Sequence, residues 1–269
     1  MKLTIHSLLY IIIACNFNTS ITDRPVIKVI KEASHYAKID GEKDREFILR
    51  NNVISIEKFD GNGVLLECQK FEMDGTLYEI EEYTLDNNLP TKCIIKSPKG
   101  KLKKYWLKKY DRKGNEIEFK LFDSINNIIL SEYKKINSKD QIEEVNFKDV
   151  QFNLEKRVTC KYNSSNLLIE QKTTKNKFEK SETRTFQYNN QKQLVEEILT
   201  RETGEVVIFK SRYDEQNNLI LHEWYDLNGI KIHENSFVFV YDNHKNWITK
   251  KRYQNGKIDY IWERDIIYY

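Results

Sequence analysis

Turn signals recur along this chain about every thirteen residues, and that spacing limits what it can fold into. The pattern is an aromatic or apolar residue, then Asp or Asn, then polar residues, then Gly or Asn, then an apolar residue. It is met at FDGNGVL (59–65), MDGTL (73–77), LDNNL (85–89), YDRKGNEI (110–117), FDSINNI (122–128) and INSKDQI (136–142). It continues at YNSSNLL (162–168), YNNQKQL (188–194), YDEQNNL (213–219), YDLNGI (225–230), YDNHKNW (241–247) and YQNGKI (253–258). Every second turn starts at 60, 86, 111, 137, 163, 189, 214 and 242, and the intervening turns fall near 74, 98, 123, 149, 176, 203, 226 and 254. The repeating unit is therefore two turns and two connecting segments.

Each turn has a local chemistry. The leading Asp or Asn can accept a hydrogen bond from a backbone N–H two residues on. The Gly or Asn near the end accepts the positive φ that a type I turn plus bulge requires. The chain has only nine Gly, so Asn takes that place in Asn217-Asn218 and Asn126-Asn127. Between turns lie about eight residues of strand character. Leu154, Lys156, Val158, Cys160 and Tyr162 alternate with Glu155, Arg157, Thr159 and Lys161, a period of two. No segment between turns sustains a helical apolar stripe; Val26–Lys38 is left open as a short helix or a first strand. Chained hairpins predict an all-β fold, a long antiparallel β-meander of about seventeen strands. At ~4.8 Å per strand a flat sheet would be roughly 80 Å wide, so a single twisted or coiling sheet is expected, each strand touching only its neighbours.

The [YF]-D-x-x-[GN]-[NK]-[WLI] unit, clearest at Tyr110–Ile117 and Tyr241–Trp247, resembles the Rhs or YD repeat. The closing YDNHKNWITKKRYQNGK…RDIIYY is similar to the last units of short Rhs-type lipoproteins of the Bacteroidetes type, and MDGTLYEIEEY (73–83) and YQNGKIDY (253–260) resemble MORN-type antitoxin-like repeats. The resemblance covers residues 50–269 and implies architecture. The toxin-wrapping role of large Rhs proteins is not carried over, because the length, self-cleavage motif and toxin domain that go with it are missing.

The first residues, MKLTIHSLLYIIIACNFNTS, put Lys2 before a largely apolar run from Leu3 to Ala14. That run is too short to span a bilayer and suits a signal h-region. Ile12-Ile13-Ala14-Cys15 resembles a bacterial lipobox, which implies cleavage before Cys15, acylation of its sulfur and stable membrane anchoring. The alternative is a buried N-terminal strand with an incidental cysteine. The expected organisation is a lipoprotein signal at 1–14, a linker and lead-in at 15–50, and the repeat domain at 51–269. With 44 Lys+Arg against 41 Asp+Glu, no long-range attraction to nucleic acid is expected.

Candidate sites are few. His244 occupies a turn position held elsewhere by Lys113, Gln216 or Ser165. His222 and His233 have Glu223 and Glu234 beside them, but strands alternate their faces, so no metal site is expected. KLKKYWLKK (101–109) reads either as a single-strand-binding run or as a lysine-guarded strand. Tyr110, Tyr162, Tyr188, Tyr213, Tyr225, Tyr241 and Trp247 pack on hairpin neighbours or form an exposed row for a glycan or protein partner. No catalytic motif, catalytic residue or cofactor is expected. One strand should separate Cys68 from Cys93, which excludes a disulfide between them. The leading functional expectation is a non-enzymatic, lipid-anchored envelope protein used for binding or scaffolding. The alternatives are an immunity or antitoxin-like partner of a secreted effector, and a glycan-active enzyme.

Overall fold

The computed structural model describes residues 25–37, 47–48, 53–72, 74–176 and 180–269. Cys15 and the segment before it lie outside these residues. The described chain is strand and turn, without helix. It opens with β1 (Ile27–Ala37), β2 (Phe47–Ile48), β3 (Val53–Phe59), β4 (Leu65–Phe71), β5 (Leu77–Asp86) and β6 (Leu89–Lys96). There follow β7 (Leu102–Tyr110), β8 (Glu116–Asp123), β9 (Ile128–Ile136), β10 (Ile142–Asp149), β11 (Leu154–Tyr162), β12 (Leu168–Lys175) and β13 (Lys180–Tyr188). The last six are β14 (Leu194–Arg201), β15 (Val206–Tyr213), β16 (Leu219–Tyr225), β17 (Lys231–Tyr241), β18 (Trp247–Gln254) and β19 (Lys257–Tyr268).

From β3 to β19 every strand pairs antiparallel with the next, as the repeat predicts. The expected single sheet closes on itself instead of coiling. Val26–Lys38 supplies a strand, β1, which pairs antiparallel with β19 on one side and β3 on the other. Apart from two-residue β2, which pairs only with β1, the strands make a closed barrel of eighteen. Closure removes both free edges, whose unpaired N–H and C=O groups would otherwise recruit other chains. Eighteen tilted strands about 4.8 Å apart give a wall of roughly 110 Å perimeter, a size that leaves a lumen. Each strand contacts only its neighbours around the ring.

The turns follow their predicted chemistry. Asp60 N–H bonds the Val64 carbonyl and Gly63 N–H bonds the Asp60 carbonyl, while Asp60 Oδ1 accepts from the N–H groups of Asn62 and Val64. The same arrangement recurs at Asp111, Asp123, Asn137, Asn163, Asn189, Asp226 and Asp242. The residue three after the Asp or Asn takes positive φ: Gly63, Gly114, Asn126, Asn166 and Asn217, but also Asp140, Lys192 and Lys245. The turns led by residues 60, 86, 111, 137, 163, 189, 214 and 242 share one rim, here the entry rim, because β1 starts there; the intervening turns form the far rim.

Strand pairing sorts the side chains onto two faces. Cys68, Glu81, Cys93, Trp106, Lys134, Val145, Phe209 and Trp262 line the inner wall through successive cross-strand pairs. Inner-wall Cys93 is 0% exposed and Val145 1%, because longer neighbours such as Tyr83 and Trp106 fold over the small ones. The outer face carries Arg157, Lys161, Lys172, Lys210 and Lys251, interspersed with Thr and Glu. β5 separates the cysteines: Cys68 faces Glu81 and Cys93 faces Tyr83. Both are free, and burial pushes their thiols up to about 11 and about 12, so they are unreactive.

Candidate functional site

Six of the seven aromatic candidates lie at the entry rim; Tyr225 lies at the far rim, on the outer face beneath Lys210. Four of the six are committed to structure. The hydroxyls of Tyr110, Tyr162, Tyr188 and Tyr213 donate to the carbonyls of Pro90, Ile142, Leu168 and Leu194, each at 2.9 Å. Every such bond stitches one hairpin to its neighbour. Burial raises the Tyr110 hydroxyl to about 12 and pushes that of Tyr162 up as well. Toward the chain's end the tyrosine reaches a carboxylate instead: Tyr241 bonds Asp214 and Tyr268 bonds Asp242. Tyr269 completes the ring, its hydroxyl reaching the Phe59 carbonyl at 2.8 Å across the closing seam.

Tyr241 and Trp247 differ from the rest, because they line a cavity of about 270 Å³ at the entry rim beside that seam. Asn218, Asn246, Arg264 and Ile30 share its lining. The Arg264 guanidinium stacks 3.5 Å from the Trp247 ring centroid and donates to Glu32 at 2.7 Å. Trp247, the first residue of β18, is thereby covered by a guanidinium of β19 that is tied to β1 through Glu32.

From this cavity an aromatic and cationic panel continues down the inner wall of β15 to β19. Lys250 stands over three rings, 4.8 Å from the centroid of Phe237, 5.7 Å from Phe239 and 4.9 Å from Trp262. Tyr260 and Trp262 lie 4.3 Å apart, and Arg252 is clamped by Asp259 at 3.0 and 2.6 Å. Further round, Phe209 stacks on His222 at 5.6 Å, and Trp224 meets His233 at 4.5 Å. His222 Nδ1 is 3.1 Å from Ser211 Oγ. Burial, with the nearby His233, holds His222 below its ordinary value, so it is neutral at pH 7. Trp224 Nε1 is buried and has no hydrogen-bond partner among the described residues.

The other candidates resolve by face. His222 and His233 point inward, whereas Glu223 and Glu234 pair on the outer face, so they do not converge. No group of three or more metal-ligating side chains occurs among the described residues. His244 is a turn residue whose ring rests edge-on against Tyr268 at 4.8 Å. KLKKYWLKK divides between faces: Lys104, Trp106 and Lys108 point inward, while Tyr105 stacks outward on Phe122 at 4.7 Å. Inner-wall carboxylates are largely matched to cations, as in Glu81–Lys70 at 2.5 Å, Glu132–Lys134 at 3.1 Å and Glu197–Arg184.

The inner panel is the aromatic surface that the repeat conceals. Its rings stand mid-strand, where units differ, while the conspicuous tyrosines stand beside turns, where units agree. The signal lay in the alternation of SFVFVY and YIWER, but alternation alone names two faces without saying which is concave.

No protein-family model matches the sequence, and no curated protein does either. Among solved structures, the chain is similar to a porin-like protein from Bacteroides uniformis, at 9% identity and a TM-score of 0.48, covering 90% of this chain and 98% of that one. A porin-like protein from Bacteroides vulgatus overlaps at 8% identity and a TM-score of 0.33, covering 90% and 98%. A structure described as TcdB2-TccC3-Cdc42 overlaps at 11% identity and a TM-score of 0.36, covering 82% of this chain and 15% of that one. Overlaps this loose carry no functional reading, and the function is argued from the wall itself.

Proposed function

We propose that this chain is a non-enzymatic, lipid-anchored protein of the cell envelope whose barrel holds a ligand on its inner wall. One observation carries the reading: the division of labour between faces. Rings and a lysine with no ion pair among the described residues line the lumen, while the outer face is solvated and charged. A membrane-spanning barrel instead needs an outward apolar band about 25 Å tall, and a midplane Lys or Arg there costs ~2–4 kcal/mol. Arg157, Lys172, Lys210 and Lys251 all point outward from mid-strand. The lipobox-like Ile12–Cys15 supports attachment by acylation rather than by insertion. An anchor at Cys15, ten residues before Pro25, would turn the entry rim toward the membrane.

The Rhs/YD family reading belongs to the same proposal. It is supported by the tyrosine-to-neighbour hydrogen bonds at the entry rim, which give the repeated Tyr-Asp pair a structural reason to recur. The test is metabolic palmitate labelling of wild type and Cys15→Ala. Label confined to wild type is expected; equal label in both removes the membrane address.

A second reading, a partner of a secreted effector, is favoured by the far rim. Its turns expose Ile125 (74%), Phe152 (72%) and Leu227 (69%), whereas the entry-rim turns are polar. Neutralisation of a co-expressed toxin would support this reading over the first.

A further inference from the structure

We infer that the inner wall of β17–β19 is a binding site for carboxylated sugar chains, with the carboxylate on Lys250 and the sugar ring faces on Trp262 and Tyr260. The inference deepens the proposed binding role and rests on it. It begins with an electrostatic imbalance. Three cations, Lys250, Arg252 and Arg264, stand together on this wall. Arg252 is matched by Asp259 and Arg264 by Glu32. Lys250 forms no ion pair among the described residues; its ammonium lies over three aromatic faces. Ring quadrupoles attract a cation but do not neutralise it. The site therefore keeps one positive charge in half-buried surroundings, where an incoming anion interacts more strongly than it would in water. Burial, with Arg264 and Arg252 outweighing the opposing Glu32, disfavours the charged ammonium, and an anion would relieve that cost.

The surroundings select the kind of anion. An acyl chain needs continuous apolar wall, but here rings alternate with ion pairs. A phosphate dianion is best met by several free cations, but Arg252 and Arg264 are already matched by Asp259 and Glu32, so Lys250 alone suits a singly charged carboxylate. A saturated sugar has flat apolar faces and hydrogen-bonding edges. Trp262 and Tyr260 offer the faces a platform. The Tyr260 hydroxyl, held by Ser34 at 2.9 Å, and Asn235, beside His233 at 3.2 Å, offer the edges partners. Aromatic surface with a few placed polar groups is how such sites are built. The entry-rim cavity with Trp247 and Arg264 extends the same surface, giving an extended chain a way in.

The test is calorimetric titration of the purified full chain with galacturonate oligomers, neutral galactose oligomers, polyglutamate and inorganic phosphate. Galacturonate oligomers are expected to bind roughly tenfold or more tighter than the neutral ones, the worth of one charge-assisted contact. Lys250→Met, which keeps the apolar stem, should bring the acidic oligomers down to the neutral level. Trp262→Leu should weaken both. Near-ultraviolet circular dichroism checks that each variant remains folded, and Lys210→Met, on the outer face, should bind as wild type does. Equal affinity for acidic and neutral oligomers overturns the proposal, as does an unchanged Lys250→Met. Polyglutamate or phosphate binding as tightly as galacturonate would show a general anion site and overturn the sugar assignment. Binding does not depend on Cys15, so a failed titration leaves the anchor standing, and failed palmitate labelling leaves the titration standing.

Discussion

A carboxylate on the inner wall and one on the outer face do not contribute equally. Arg184 and Glu197 pair with side chains that are each 11% exposed, whereas Lys161 and Glu170 pair at 2.8 Å with side chains 70% and 32% exposed. Taking Glu197 away leaves a guanidinium in low-dielectric surroundings without its tightest carboxylate, Glu182 standing further off at 3.9 Å. Glu197→Ala should therefore cost about 3 kcal/mol, while Glu170→Ala should cost no more than ~1 kcal/mol. Urea unfolding of the two variants measures the difference. Equal losses would mean that the inner wall is as wet as the outer face. The turns show at the same scale what local chemistry makes legible. Asn126, Asn166 and Asn217 could be read as positive-φ positions because Asn tolerates that region. Lys192 and Lys245 adopt it too, at φ of 62° and 63°, and nothing about a lysine announces this; only its place in the repeat frame does.

Among the elements, the hairpins were legible and the closing strand was not. Each hairpin is decided within about thirteen residues, by an Asp or Asn that caps the turn and a strand that alternates. The partners of β1 lie elsewhere: Ile30 pairs with Ile266 and with Glu57. No turn signal precedes β1 and no repeat frame includes it, so its pattern could not tell a strand from a short helix. The inner panel was hidden for a related reason, since which face is concave is decided only by closure. The importance of β1 can be tested at Ala33, which pairs with Glu263 on one side and Val53 on the other. Proline there removes an N–H from a doubly paired strand, a position where proline is essentially never found. Ala33→Pro should free the edges of β3 and β19 and turn a monomer into higher oligomers by size-exclusion chromatography. An outer-face control, Thr159→Val, should elute unchanged. A monomeric Ala33→Pro barrel with native protease resistance would mean that β1 is dispensable for closure.

For the whole molecule, the arrangement of charge matters more than its amount. Balanced charge, 44 basic against 41 acidic residues, is compatible with a soluble repeat array and with a pore alike. The fold separates the two by where the charges sit. A pore-forming barrel puts apolar residues outward and polar ones inward. This wall puts Trp106, Trp224 and Trp262 inward, among ion pairs, and Arg157, Lys172 and Lys251 outward. Outward apolar residues such as Val238 (51%) and Val240 (49%) form short groups that face Lys251 and Thr249 on the next strand rather than a continuous band, as soluble surfaces allow. A chain of residues 16–269, without the h-region and Cys15, should therefore fold as a β-rich monomer in aqueous buffer without detergent. When it is mixed with preformed vesicles and floated on a density gradient, the protein should stay in the bottom fraction. Cofloatation with neutral vesicles, or a need for detergent to stay monomeric, would mean that the outer face does meet lipid, and the barrel would then have to be read as a membrane-spanning one.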